Sequence, residues 1–497
     1  MSMHGPDITL PIDLEIAIRD QNPWWRGEGI AGLRPVKRWA FNSIQRHLRS
    51  GVVPSVVLRG PRQIGKSTLL NQLIDAELKS GVEPSRILRL QFDELPALSQ
   101  FDMPLIALVH WFSRTIAGTT MNQAAVEEKP FVLFLDELQN LGDWAPQLKH
   151  LLDIGKVRAV VTGSSALRIE AGRDSLAGRI RMIEMGPLLL REIGTLRGLG
   201  ELQAALPENG FGQLKEKAFW QDLHSLGERQ KALRDKVFTT FSERGAYPFA
   251  HLDPDEPWDS VAEHLTETVV RRAIQHDLRL GPRGQKRDEH LLAEVFRLAC
   301  VYVGQAPKQS TYLQEIHASM NSSIGWIRVL NYLKFLDGTL LLRLVEPLDL
   351  RLKKRRGGSK LCLCDHGLRA AWLNESIPLT PEGLRASPHL HDLAGRIAES
   401  VAGYFFSSMY GLSVRHFPER GVEPEVDFVL TIGEQRIPVE VKYRHRIDHA
   451  DSKGLRAFME KSVYNAPFGV MVTLEDAPAS DDPRIISIPL STLLLLR

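Results

Sequence analysis

Gly60-Pro61-Arg62-Gln63-Ile64-Gly65-Lys66-Ser67-Thr68 joins an apolar run, Ser55–Leu58, to a helical run, Thr68–Leu78. Strand, glycine-bounded loop and helix in that order are the setting of the G-x-x-x-x-G-K-[ST] pattern. The glycines let the backbone curl so that its N–H groups point at phosphates, beside the N-terminus of the helix that follows. Lys66 then reaches the β- and γ-phosphates of a nucleotide, and the Ser67 hydroxyl ligates Mg²⁺. The spacing predicts ATP and Mg²⁺ binding, with Gly60, Gln63, Ile64, Gly65, Lys66, Ser67 and Thr68 around the phosphates. The competing reading is an ordinary glycine-rich turn.

Downstream, Phe131–Leu135 is a continuous apolar run that ends in Asp136-Glu137. Such a run reads as a strand buried on both faces, and ligands in this class of sheet sit at the C-terminal strand ends. Asp136 would hold Mg²⁺ through water, and Glu137 would orient or deprotonate an attacking water. Two acids after a strand also serve as a helix cap, but a phosphate loop upstream favours hydrolysis. Val157–Val161 delivers Thr162-Gly163-Ser164-Ser165 to the same edge, as γ-phosphate sensors or as a turn that caps the next helix. Arg179, in Ser175–Arg179, either completes a neighbouring copy's site or sits in a solvated salt bridge. Short runs at Ser55–Leu58, Ile87–Phe92, Phe131–Leu135, Val157–Thr162 and Arg181–Met185 alternate with amphipathic stretches. That alternation predicts an α/β fold with a parallel sheet under helices.

Length and composition bound the rest. A chain of 497 residues suggests two to four domains. With 43% apolar and 25% charged residues it has a globular composition, and a net charge of +2 leaves any nucleic-acid contact to a local patch. Three cysteines give no disulfide framework; Cys362 and Cys364 alternate within Leu361–Asp365 and read as buried thiols rather than metal ligands. Met1–Asp20 lacks the pattern of a signal peptide, and no apolar segment approaches the roughly 20 residues of a membrane span. A cytoplasmic protein without a membrane partner is expected. Pro23-Trp24-Trp25 should pack a leader onto the first domain, and Pro35–His47 has helical spacing. Ile485–Leu496 reads as a buried terminal strand.

Helical spacing at Glu289–Val303, Ser310–Met320 and Ser322–Leu336, then strand-like Thr339–Val345, suggests a winged helix-turn-helix. In the third helix Ile324, Ile327, Leu330, Leu333 and Leu336 are expected inward, leaving Ser323, Arg328, Asn331 and Lys334 outward. Arg351, Lys353, Lys354, Arg355, Arg356 and Lys360 would form a basic wing that neutralises phosphates. A solvated loop on a packing module is the alternative. Further on, Asp427–Ile432 and Gln435–Lys442 flank Gly433-Glu434. A two-residue hairpin fixes their register and sets Asp427 opposite Glu440. Opposed carboxylates repel unless a cation bridges them. Glu440 and Lys442 share one strand face, so the face carries two acids and a lysine, the pattern of PD-(D/E)xK nucleases. There the acids hold Mg²⁺ and the lysine stabilises developing charge. Alternating charged strands also produce this pattern with no such role.

Taken with Gly186-Pro187-Leu188, Arg191-Glu192 and Gly245–Pro248, these motifs resemble the prokaryotic AAA+ ATPases that carry a C-terminal nuclease-like domain of unknown function. The C-terminal match rests on Gly395–Glu399, Glu425–Val429 and Val439–Tyr443. The resemblance implies Thr162 or Ser164 as first sensor, and Arg179 as an arginine acting across subunits of a ring homo-oligomer such as a hexamer. It implies Gly245–Pro248 in a lid near the adenine, and Glu399 as a third metal ligand beside Asp427 and Glu440. Helical periodicity does not lead to Glu399, which falls opposite the stripe Leu393, Ile397, Val401 and Tyr404. The expected domains are a leader (1–34), an AAA+ core (35–195), a helical lid (196–280), a winged helix (285–377) and a restriction-endonuclease-like domain (385–497). The leading functional expectation is an oligomeric ATPase that translocates, remodels or processes DNA, with Lys442 catalytic in metal-dependent cleavage. The alternative is a switch ATPase that binds a protein partner, with the nuclease-like fold as a scaffold.

Overall fold

The computed structural model describes residues 9–50, 54–95, 98, 100–155, 157–163, 176–206, 210–276, 288–321, 324–349, 357–419, 421, 423–476 and 481–497. The chain forms two compact units, residues 1–60 with 65–185 and residues 61–64 with 186–497. Of the five expected segments, those after residue 195 all fall in the second unit.

The first unit is built on five strands, β1 (Ser55–Arg59), β2 (Ile87–Gln91), β3 (Val132–Asp136), β4 (Arg158–Gly163) and β5 (Ile180–Glu184). All pair in parallel, in the order β2-β3-β4-β1-β5. The apolar runs are continuous because both faces are covered: every residue of β3 is buried. Val57, Leu133, Leu135, Ala159 and Val161 belong to one core with Leu108, Phe112 and Leu148. The leader closes the open edge of β2. Asn22 accepts from Arg89 N and donates to Arg89 O, Gln21 accepts from Gln91 N, and Trp24 and Trp25 both donate to Ile87 O. Those side chains satisfy ladder groups that an edge strand otherwise exposes. The expected helix Pro35–His47 instead runs Ala40–Ser50. Its intended first turn is diverted because the Gln72 amide donates to the carbonyls of Arg34 and Val36, at 2.7 and 2.9 Å.

In the second unit a short helix, Leu190–Leu196, is followed by helices Lys217–Arg229, Lys231–Arg244 and Trp258–Leu265, the last running on through Thr266–Arg271 into Arg272–His276. Helices Glu289–Val301, Gln309–Met320 and Trp326–Gly338 follow, then an antiparallel pair, β6 (Leu342–Val345) and β7 (Lys360–Leu363). The third helix begins at Trp326, not Ser322, and its phase differs from expectation. Val329, Tyr332, Leu333, Phe335 and Leu336 are buried, whereas Ile327 is 76% exposed. Two overlapping apolar stripes compete on this helix, and the one holding the larger aromatic area goes inward. Helix His391–Ser407 then packs on a mixed sheet of β8 (Ser413–Phe417), β9 (Val426–Ile432), β10 (Gln435–Lys442), β11 (Gly469–Thr473) and β12 (Ile485–Pro489). Strands β8, β9 and β10 are antiparallel neighbours; β10, β11 and β12 are parallel. The tail is buried as expected, but only Ile485–Pro489 is strand; Leu490–Leu496 is helical. Among the described residues no helix is long and apolar enough to cross a membrane.

Candidate functional site

Sheet order assembles the first site. Strands β3, β4 and β1 are consecutive neighbours, so the ends that carry Asp136, Thr162 and the loop after Arg59 lie side by side. That loop needs left-handed backbone at two positions, Gln63 (φ 62°) and Gly65 (φ 89°), before the helix Lys66–Lys79 begins. A glycine at the second removes the side-chain clash of that conformation. Lys66 is buried; its Nζ donates to Gly60 O at 3.0 Å and lies 3.7 Å from Glu137 Oε1. Asp136 has no exposed surface. The Thr162 hydroxyl donates to Asp136 Oδ1 and accepts from Glu137 N at 3.1 Å, so one side chain fixes both acids. Burial raises the Asp136 carboxyl above the usual carboxylate range, while hydrogen bonds from Thr162 and Ser67 pull it back. Glu137 adopts left-handed backbone (φ 52°, ψ 40°), and its carboxylate accepts from the Gln139 amide.

The residues present fit a bound Mg²⁺–nucleotide. Ser67 and Asp136 touch, and Asp136 Oδ2 is buried with no hydrogen-bond partner among the described residues, 3.7 Å from Arg89 Nη2. Arg89 and Gln139 escaped the sequence reading. Arg89 stands on β2 two register positions from Asp136, whose direct partner is Gln91, a relation visible only once strand order is known. Ser164, offered with Thr162 as sensor, lies outside the described residues. Arg179 pairs with Asp153 of its own chain at the surface.

The second unit gathers another set. Pairing of β9 with β10 runs from Ile432–Gln435 to Phe428–Val439, which carries Asp427 to the place beside Glu440. Asp427 Oδ2 accepts from Val441 N at 2.9 Å. Glu399, on the inner side of helix His391–Ser407, joins them, because that helix is buried almost all round rather than along one stripe. Lys360, expected in a basic wing, is instead 2% exposed at the start of β7. Its Nζ donates to Glu399 Oε1 and to Asp427 Oδ1 (3.0 Å), and lies 3.5 Å from Glu425. Lys442 Nζ donates to Glu440 Oε1 at 2.6 Å. This set does not fit a divalent metal: Lys360 already stands between Glu399 and Asp427, Lys442 holds Oε1 of Glu440 and leaves only its buried Oε2 without a partner among the described residues, and no His, Cys, Asp and Glu grouping among those residues is arranged to hold an ion. The signal for Lys360 in the sequence is its position, one residue ahead of the alternating run Leu361–Asp365.

Of the expected groove-facing residues, Arg328, Asn331 and Lys334 are exposed on helix Trp326–Gly338, with Arg328 paired to Asp288 at 3.3 Å. Ser323, Arg351, Lys353, Lys354, Arg355 and Arg356 lie outside the described residues. Gly245–Pro248 is anchored within its own unit: Asp365 Oδ2 accepts from Ala246 N at 2.9 Å.

Residues 53–194 match the family described as an AAA domain, and residues 395–493 match a domain of unknown function (DUF4143). An uncharacterized protein of Methanocaldococcus jannaschii is 26% identical over 400 residues, 78% of this chain and 75% of that protein. An uncharacterized protein of Haemophilus influenzae is 23% identical over 320 residues, 63% of this chain and 68% of its own. A solved Walker-type ATPase of Pyrococcus abyssi is similar at 14% identity and a TM-score of 0.36, across 69% of this chain and 99% of that one. The family match places an AAA-type domain at residues 53–194.

Proposed function

We propose that this chain hydrolyses ATP at the β1–β3–β4 edge and couples turnover to work on DNA engaged by the second unit. The observation that carries the first half is the convergence of Lys66, Asp136, Glu137 and Thr162 on one sheet edge. Lys66 holds the β- and γ-phosphates and Glu137 takes a proton from the attacking water. Thr162 keeps both acids in place. Mg²⁺, held by Ser67 and Asp136, neutralises phosphate charge when bound. Arg179 exchanges Asp153 for the nucleotide of a neighbouring subunit in a homo-oligomeric ring.

The second half rests on the exposed Arg328–Asn331–Lys334 stripe together with the basic run 351–356 of the sequence. ATP turnover measured with and without duplex DNA at low and moderate salt tests it. A several-fold, salt-sensitive stimulation is expected, reduced by Lys334→Glu; its absence removes DNA as the effector. Arg179→Ala with undiminished turnover would remove the shared site. A second reading, a switch ATPase that acts on a protein partner over a scaffold, is favoured by the lysine-filled acid cluster. Cleavage chemistry at Asp427, Glu440 and Lys442 is not carried forward, because that cluster does not fit the metal it would need.

A further inference from the structure

We propose that Lys360 is a built-in cation standing in the place of a divalent ion between Glu399 and Asp427, so that the C-terminal sheet is a metal-free structural module. Lys360 comes from β7, outside the span 395–493 that matches the domain of unknown function, and reaches into it. Three elements meet at its nitrogen: Glu399 from helix His391–Ser407, Asp427 from β9, and Glu425 just ahead of β9. The same nitrogen lies 5.2 Å from the centre of the Phe428 ring. An ammonium this deeply buried is stable only while its carboxylates stay close, and the carboxylates need it equally. Each therefore locks the others. Both oxygens of Asp427 already accept a hydrogen bond, Oδ1 from Lys360 and Oδ2 from the Val441 N–H, which fixes the carboxylate in place. Glu440 is held in turn by Lys442 through Oε1, its buried Oε2 having no hydrogen-bond partner among the described residues. A divalent ion entering this space would meet an ammonium group within ordinary hydrogen-bond distance of its own ligands, and like charges at that range repel strongly.

The role of a metal in joining helix to sheet is thus filled by a side chain. Loss of that side chain should reopen the site. Mn²⁺ is the probe, followed by electron paramagnetic resonance on the full chain without nucleotide, in an Asp136→Asn background that silences the first unit. With Lys360 intact, no binding tighter than millimolar is expected. Lys360→Ala should bind Mn²⁺ at least ten-fold more tightly, recover part of its lost melting temperature on adding Mn²⁺, and lose both effects when Asp427→Asn is added. Binding by the Lys360-intact chain that Asp427→Asn abolishes would overturn the proposal, as would Lys360→Ala that folds yet gains nothing. Should Lys360→Ala fail to fold, Lys360→Met keeps the stem, and the measurement on the intact chain decides alone. Neither outcome depends on whether DNA stimulates ATP turnover.

Discussion

Thr162 carries more of the first site than either acid it serves. Its hydroxyl has one proton to give and gives it to Asp136, and its oxygen then receives the Glu137 N–H. Glu137 consequently sits in left-handed backbone, with Gln139 holding its carboxylate from two residues on. The chemistry and the positioning can be separated. Glu137→Gln keeps the shape and removes the base, so ATP should still bind while kcat falls by about 100-fold or more. Gln139→Ala removes only the holder, and a fall in kcat of about ten-fold with KM unchanged is expected. Steady-state turnover alongside equilibrium binding of a fluorescent ATP analogue checks both. Equal losses in the two variants would mean that Gln139 does more than position.

Elements impose constraints that no single residue reveals. Gly245 ends helix Lys231–Arg244 with φ 72°, and a Cβ there would lie 2.4 Å from Asp365 Oδ1. Asp365 cannot retreat, because its carboxylate also receives Ala246 N and Gly367 N and so caps helix His366–Leu373. Gly245→Ala combines a strained backbone with a steric clash and should cost about 2–4 kcal/mol. Asp365→Ala in the same chain relieves the clash, so urea unfolding of the double variant should show clearly less than the sum of the single losses. Ala246, the next residue, is not in the left-handed region and its side chain is accommodated. This pattern explains what was legible in the sequence. The five strands of the first sheet could be read to within about a residue, because continuous apolar runs ending in polar signals encode parallel strands directly. The β9–β10 register followed from its two-residue turn. Lys360, Arg89 and Asp365 were illegible in their roles, since each acts on a partner tens of residues away. Helix Trp326–Gly338 was misphased because two stripes fitted the period equally and only tertiary packing chose between them.

At the scale of the whole molecule, a net charge of +2 at pH 7 leaves little global repulsion there, and 16 histidines add positive charge as pH falls, on top of which buried groups titrate individually. His251 is the clearest of these. Burial is the main cause that lowers its pKa from 6.5 to about 4; the hydrogen bond to Gly245 O opposes the shift, and the nearby Arg197 and Arg244 add to it. Nε2 bears the proton given to that carbonyl, while Nδ1 is buried with no hydrogen-bond partner among the described residues. Protonating Nδ1 would therefore place a charge where nothing receives it. In the unfolded chain the imidazole binds a proton near pH 6.5, and in the folded chain only near 4. Between those values the unfolded state holds more protons, so stability falls as pH is lowered through that window and levels off below it. A shift of this size corresponds to about 3 kcal/mol. His110 and His264 are displaced the same way by burial and should deepen the fall. His251→Gln keeps an N–H for Gly245 O without a titrating nitrogen. Its urea-unfolding free energy should therefore fall less steeply between pH 6.5 and 4 than that of the native chain. Parallel curves for the two proteins would show that the imidazole is reached by solvent and titrates alike in both states.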